Sequence, residues 1–164
     1  MPKTIPTDLK LPVLVWGNGG CFANGIQFLS LLNQISSHGV FVIASGTPNG
    51  RGTTTAAMMT QAIDWVTSDT VRNKYSFLDT SRIGVAGQSC GGVEAYGVEG
   101  DKRLSVIGIF NSGLMSAAES QRIAPTITKP IFYFLGGSSD IAYANVSYNA
   151  IRCSKIYSPS RSKG

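Results

Sequence analysis

Ser89 is the residue of this chain with the clearest chemical potential, and it lies at the centre of the pentapeptide Gly87-Gln88-Ser89-Cys90-Gly91. This is a G-x-S-x-G pattern, in which small flanking residues let the chain turn sharply and present a serine hydroxyl as a nucleophile. The pattern alone has little specificity in a chain with 19 glycines. Its setting adds specificity, because an apolar run precedes it and a helix-like segment follows it. The alternative is a glycine-rich strand–helix turn in which the serine has no role.

A serine that attacks a carbonyl group needs two backbone N–H donors for the negative charge that develops on the carbonyl oxygen. Cys90, the residue after the serine, would supply one of them. We expect the other in segment 17–21 (GNGGC), after the first apolar run, with Gly20 or Cys21 as the donor. A dinucleotide loop fits less well, because Phe22 occupies the last position of G-x-G-x-x-G. A phosphate loop would need Lys followed by Ser or Thr, and a plain turn is the remaining alternative.

Such a serine also needs a histidine as general base and an acid that orients the histidine. Asp140 is the candidate acid, because it follows the fifth apolar run in segment 136–140 (GGSSD). A surface-turn aspartate is the alternative for this residue. The only histidine is His38, between a helix-like segment and the second apolar run. It should enter the sheet at the amino edge, about 17 Å from Ser89 along a five-residue strand, too far for a general base.

Five apolar runs alternate with helix-like segments along the chain. The predicted strands are 12–16, 40–44, 82–86, 104–110 and 130–135. The predicted helices are 24–36, 54–68, 91–98 and 142–150. Apolar runs without alternation are typical of parallel strands that are covered on both faces. The pattern predicts a doubly wound α/β domain with a mostly parallel sheet in the order 2-1-3-4-5, in which Ser89 and segment 17–21 meet at the switch point.

The net charge of +5 is concentrated at the C-terminal end of the sequence. Residues 151–164 carry four basic side chains and no acid, so residues 1–150 have a net charge of only 5 − 4 = +1. No basic stripe with interleaved aromatic residues is present, which excludes a nucleic-acid partner. No apolar run approaches the roughly 20 residues of a membrane span. The polar N-terminus shows no signal peptide, and the localisation stays undetermined.

Three cysteines, Cys21, Cys90 and Cys153, lack the spacing of a zinc site. Cys21 and Cys90 flank the proposed oxyanion donors. A disulfide between these two residues would brace the glycine segment against the serine turn. Two buried free thiols are the alternative.

Four segments of the sequence resemble the α/β-hydrolase family: 11–25 (LPVLVWGNGGCFANG), 40–52 (VFVIASGTPNGRG), 84–92 (GVAGQSCGG) and 131–146 (IFYFLGGSSDIAYANV). The chain is most similar to cutinase-like, chlorophyllase-like and dienelactone-hydrolase-like serine esterases, especially fungal ones, over about residues 10–150. The resemblance implies Ser89 as nucleophile, Asp140 as triad acid, and Cys90 with Gly20 or Cys21 as oxyanion donors. It also implies a small-molecule or polymeric ester substrate, no cofactor or metal, and secreted relatives.

The chain departs from the eight-stranded family core at both ends. Its first strand already leads into the oxyanion loop and so corresponds to the family's third strand, and the segment with the catalytic histidine would follow residue 150. We therefore expect a truncated, partial α/β-hydrolase domain over residues 1–150, a divergent and disordered basic tail over 151–164, and weak or absent ester hydrolysis. A non-catalytic pseudo-hydrolase that binds ligands and a flavodoxin-like nucleotide-binding domain are the alternatives.

Overall fold

The computed structural model of the chain describes residues 9–136. Asp140, the predicted helix 142–150 and the basic segment 151–164 lie outside the described residues, as does the predicted boundary at residue 150. The described part forms one α/β domain, a β-sheet with helices on both faces. None of its helices is both long enough and apolar enough to span a bilayer.

The sheet has five strands, and every pair of neighbouring strands is parallel. The strands are β1 (Leu11–Gly17), β2 (Phe41–Ala44), β3 (Leu78–Gln88), β4 (Leu104–Phe110) and β5 (Ile131–Phe134). Their order in the sheet is β2-β1-β3-β4-β5. This confirms the order predicted from the apolar runs. Because all strands run the same way, the loops that follow β1, β3 and β4 converge at one edge of the sheet.

The helices are α1 (Leu29–Ser37), α2 (Ala56–Thr67), α3 (Asp69–Lys74), α4 (Cys90–Gly97) and α5 (Ala117–Ile123), with 3₁₀ turns at Gly19–Cys21 and Ala124–Thr126. Three of them lie within or close to predicted helices. The helix predicted from Asn24 begins only at Leu29, because the Asn24 carboxamide accepts the N–H of Ile26 and organises a turn there. The short helices α3 and α5 were not predicted, since neither spans two full turns of apolar periodicity.

Strands β1 to β4 pack apolar side chains on both faces of the sheet, whereas Phe132 and Phe134 on one face of β5 are exposed. On the first face, strand residues pack against α2 and α4 in the larger core, which includes Val13, Val15, Ile83, Val85, Ile107, Ile109, Met59, Ile63 and Ala95. On the second face, Trp16 is fully buried with Leu32 of α1 and Ala86 of β3. Successive strand residues point to opposite faces, so the uninterrupted apolar runs follow from burial on both sides.

Helix α4 touches the carboxyl ends of β1 and β3 backbone to backbone. A Cβ atom at Gly91 would overlap the carbonyl group of Gly17, and one at Gly87 would overlap the carbonyl group of Gly91. The obstructing atoms belong to the main chain, which cannot rotate away as a side chain can. Glycine at these positions therefore lets the first turn of α4 rest on the two strand ends.

We predict that Gly91→Ala destabilises the fold by about 1–3 kcal/mol, the usual cost of overpacking. Alanine is favoured over glycine in a helix by up to about 1 kcal/mol, but this gain is smaller than the cost of moving two main-chain segments apart. Gly100→Ala is the matched control, because nothing lies within 4 Å of a Cβ atom there. Urea denaturation of both variants measures the difference, and equal stabilities would contradict the prediction.

Candidate active site

Ser89 occupies a strained turn between β3 and α4. Its backbone has φ 52° and ψ −116°, a combination that residues with a side chain rarely adopt and that costs on the order of 1–3 kcal/mol. The surroundings hold this conformation at both ends of the residue. The Ser89 N–H donates to the Phe110 carbonyl at 2.9 Å, and the Ser112 hydroxyl donates to the Ser89 carbonyl at 2.6 Å. A half-buried serine in such a turn has the geometry of a nucleophile elbow.

The first turn of α4 begins directly after Ser89. The Ser89 carbonyl accepts the N–H of Gly92 at 2.9 Å and that of Val93 at 3.3 Å, which starts the helix. Within residues 9–136, no acceptor is bonded to the N–H of Cys90. First-turn N–H groups lack partners inside a helix and lie at its positive end. The Cys90 N–H is therefore free to stabilise negative charge close to Ser89.

The glycine segment after β1 forms a 3₁₀ turn over Gly19–Cys21 that contacts α4. Both Gly20 (φ 65°) and Cys21 (φ 49°) have a left-handed backbone. The Cys21 N–H donates to the Asn18 carbonyl at 3.2 Å, whereas the Gly20 N–H has no acceptor in the described part of the chain. Of the two predicted donors in this segment, Gly20 is the one with an uncommitted N–H group.

A disulfide joins Cys21 to Cys90, with their Cα atoms 5.2 Å apart. This confirms the disulfide hypothesis and removes the alternative of two free thiols. The bond links positions 69 residues apart in the sequence and ties the 3₁₀ turn to the first residue of α4. Gly20, Cys21, Ser89 and Cys90 are thereby brought together at the carboxyl edge of β1 and β3.

His38 lies away from this cluster. It follows the last residue of α1 and precedes β2, so it is at the amino edge of the sheet, and β2 alone is about 13 Å long. The imidazole is exposed and pairs with the Gln34 side chain, Nε2 to Nε2, at 3.2 Å. The placement predicted for His38 is confirmed. Asp140, the candidate acid, lies outside the described residues, and residues 9–136 hold no group of three or more side chains able to bind a metal.

The chain is similar in structure to known hydrolases. A protein from Klebsiella pneumoniae subsp. pneumoniae MGH 78578 that is assigned as a dienelactone hydrolase aligns with a TM-score of 0.66 at 14% identity, over 92% of this chain and 71% of that one. A thermostable esterase aligns with a TM-score of 0.60 at 16% identity, over 93% of this chain and 45% of that one. The chain has the α/β-hydrolase fold. No family model matches the sequence, no curated protein does, and identities this low show the fold alone.

Asn18 holds the glycine segment in place within this α/β-hydrolase fold. Its side chain is fully buried, and its amide nitrogen lies 2.9 Å from each of three carbonyl oxygens, those of Phe22, Asn24 and Ser45. These carbonyls belong to two loops, one after β1 and one after β2. Sequence reasoning missed this role, because only the folded loops bring the three acceptors to one point.

We predict that Asn18→Asp destabilises the protein by about 3 kcal/mol, since it buries a charged acceptor against three carbonyl acceptors. Asn33→Asp introduces the same change on the exposed surface of α1 and serves as the control. Thermal unfolding of both variants at neutral pH measures the effect. A melting temperature of Asn18→Asp equal to that of Asn33→Asp would refute the assigned role.

Glu94 is a buried acid behind the site that the sequence did not single out. It is only 6% exposed, and neither carboxylate oxygen has a hydrogen-bond partner among the described residues. Burial raises the pKa of its carboxyl group, and the Thr54 hydroxyl is near enough to oppose this shift without forming a bond of ordinary geometry. Glu94 lies one helical turn after Cys90, on the same side of α4. Burial behind the disulfide therefore favours the protonated form of this carboxyl group over the charged form.

We predict that Glu94→Gln increases stability at neutral pH but not in acid. A raised pKa means that the folded state holds the proton more tightly than the unfolded state, whose value is near 4.5. That stabilisation is complete below this value and is lost as the pH rises through the folded-state pKa. Denaturation between about pH 4 and pH 8 should show the gain of the variant growing with pH. Glu99→Gln is the control, and a gain that is independent of pH would contradict the prediction.

Proposed function

We propose that this α/β-hydrolase domain is built to cleave carboxylic esters with Ser89 as the nucleophile. The observation that carries the proposal is the strained backbone of Ser89, held between the end of β4 and the first turn of α4. A strained residue persists only where its surroundings hold it, and such residues cluster at active sites. Here the strained residue is a serine beside two N–H groups that have no acceptor in residues 9–136.

The proposed reaction proceeds through an acyl-enzyme. The Ser89 hydroxyl attacks the ester carbonyl, and the N–H groups of Cys90 and Gly20 stabilise the resulting oxyanion. Cys21 is the weaker candidate for the second donor, because its N–H is engaged with the Asn18 carbonyl. Departure of the alcohol leaves an acyl-serine, which water hydrolyses. None of these steps calls on a cofactor.

The general base is the missing component of this proposal. Asp140 is the proposed triad acid, but the only histidine of the 164 residues, His38, lies at the opposite edge of the sheet. Loss of one triad member lowers turnover by roughly 10⁴-fold or more. We therefore propose that these 164 residues turn over esters slowly, as expected for a relative of the cutinase-like, chlorophyllase-like and dienelactone-hydrolase-like esterases without a histidine beside its serine, with small-molecule or polymeric esters as substrates.

Added imidazole should replace the missing base and reveal the nucleophile. We predict that p-nitrophenyl acetate hydrolysis by the chain is close to background and rises by about tenfold or more in imidazole, since a general base contributes about 10²–10⁴-fold when well positioned. The rise should vanish in Ser89→Ala and persist in Ser81→Ala, a control on the exposed part of β3. The uncatalysed reaction of imidazole with the ester is subtracted. An equal rate in Ser89→Ala would refute the assignment of the nucleophile.

A non-catalytic ligand-binding role is the second candidate, and the position of His38 favours it. In this case the fold and the oxyanion donors serve to bind an ester or a related carbonyl compound without turning it over. The same assay separates the two candidates, because a binding module would show no Ser89-dependent response to imidazole.

A further inference from the structure

We propose that the Cys21–Cys90 disulfide is the clamp that sets the geometry of the oxyanion hole, and that reduction of this bond disassembles the hole. The inference rests on the proposed function, since it assigns the N–H groups of Gly20 and Cys90 as the two donors. Cys21 and Cys90 are positioning residues in this scheme. Their side chains act on the reaction only through the main chain that they hold.

Both proposed donors are adjacent to the cross-link. One donor is the N–H of Cys90 itself, and the other belongs to Gly20, the residue directly before Cys21. The two N–H groups come from segments that are distant in sequence. Among the described residues, this disulfide is the one covalent cross-link between these segments. A displacement of about 1 Å in a catalytic group can cost on the order of 10²-fold in rate. The separation of the donors therefore depends on the bond that links their segments.

The backbone of Cys21 gives a physical reason why the bond matters locally. Its φ of 49° is left-handed, which is uncommon for a residue with a side chain and is unfavourable unless the surroundings hold it. The disulfide holds it from the side of α4. The N–H bond to the Asn18 carbonyl and the carbonyl bond to Thr54 N–H at 2.7 Å hold it from the side of the loops. Without the disulfide, Cys21 can relax toward negative φ and carry the neighbouring Gly20 peptide with it.

Reduction by a dithiol supplies the two electrons that the change requires. One thiolate of the dithiol attacks one sulfur of the protein disulfide, and the S–S electron pair leaves on the other sulfur as a thiolate, which takes up a proton. The second thiolate of the reagent then releases the first protein thiol, and the reagent becomes a cyclic disulfide. Cys90 is half-buried rather than sealed in the core, so one side of the bond is within reach of such a reagent.

A cross-link that closes a long loop also stabilises the whole fold, so the experiment must separate positioning from stability. The variants Cys21→Ala/Cys90→Ala and Cys21→Gly/Cys90→Ala both lack the disulfide, but only glycine adopts the left-handed backbone without strain. Both are compared with the oxidised parent in a Cys153→Ala background, which removes the third thiol. All assays are run well below the melting temperature of the least stable variant.

In the imidazole-assisted hydrolysis of p-nitrophenyl acetate, we expect Cys21→Ala/Cys90→Ala to lose on the order of tenfold or more in kcat, with little change in KM. Cys21→Gly/Cys90→Ala should recover a large part of that loss. Reduction of the parent with dithiothreitol should lower kcat in the same way, and reoxidation should restore it. Equal losses in the two double variants, or a reduced parent as active as the oxidised one, would overturn the proposal.

Hydrogen exchange tests the clamp without any turnover. Reduction should accelerate exchange of the N–H groups of Cys21 and Thr54, whose bonds hold the loop, by a larger factor than that of Ile107, which is bonded to the Pro130 carbonyl inside the sheet and reports the loss of global stability. Unchanged exchange at Cys21 and Thr54, or equal acceleration at Ile107, would overturn the clamp. If the oxidised parent shows no Ser89-dependent hydrolysis, the proposed function fails on its own, and the exchange data still decide whether the disulfide holds the loop.

Discussion

The close approach of α4 to the ends of β1 and β3 is the constraint on which the rest of the site depends. Gly17, Gly87 and Gly91 bring three main-chain segments into direct contact, with no room for a side chain between them. This contact places the N-terminal turn of α4 beside the glycine segment that follows β1. If α4 lay farther from the strand ends, the N–H groups of Gly20 and Cys90 would be farther apart. The disulfide between Cys21 and Cys90 could then not form.

Two strained residues, Cys21 and Ser89, lie on either side of this contact. Each is held by elements that are distant in sequence. The Phe110 carbonyl and the Ser112 hydroxyl, both near the end of β4, hold the main chain of Ser89. The disulfide to α4 and a bond to Thr54, after β2, hold Cys21. Backbone strain of this kind destabilises the fold unless other interactions offset it. Strained residues held in this way cluster at functional sites.

Two buried polar side chains near the site, Asn18 and Glu94, differ in how well their hydrogen-bonding groups are satisfied. The Asn18 amide nitrogen lies within hydrogen-bond distance of the Phe22 and Ser45 carbonyls, for which the described residues offer no other donor, although the Asn18 Oδ1 atom has no partner among these residues. The Glu94 carboxyl group is removed from water without a hydrogen-bond partner in the described part of the chain. One of the two residues holds the loop, while the other places in the helix behind it a carboxyl group whose pKa is raised by burial. Departures from optimal burial of this sort are expected at functional sites.

The sequence by itself determined the parallel sheet, its strand order and the location of Ser89 at a strand–helix turn. Those features follow from local information, namely apolar runs of strand length and a glycine-flanked serine, which restrict the backbone wherever they occur. Element limits were less predictable. The strand predicted to begin at Arg82 begins at Leu78, because that residue pairs with Leu11 of β1 across a register shift.

Only the tertiary structure showed which of the candidate residues lie together. The sequence left Gly20 and Cys21 as equal candidates for the second N–H donor, and in the structure the Cys21 N–H is bonded to the Asn18 carbonyl. It raised the disulfide as one of two possibilities, and proximity across 69 residues settled the matter. The roles of Asn18 and Glu94 were invisible, because hydrogen bonding and burial of a polar side chain depend on which distant segments surround it.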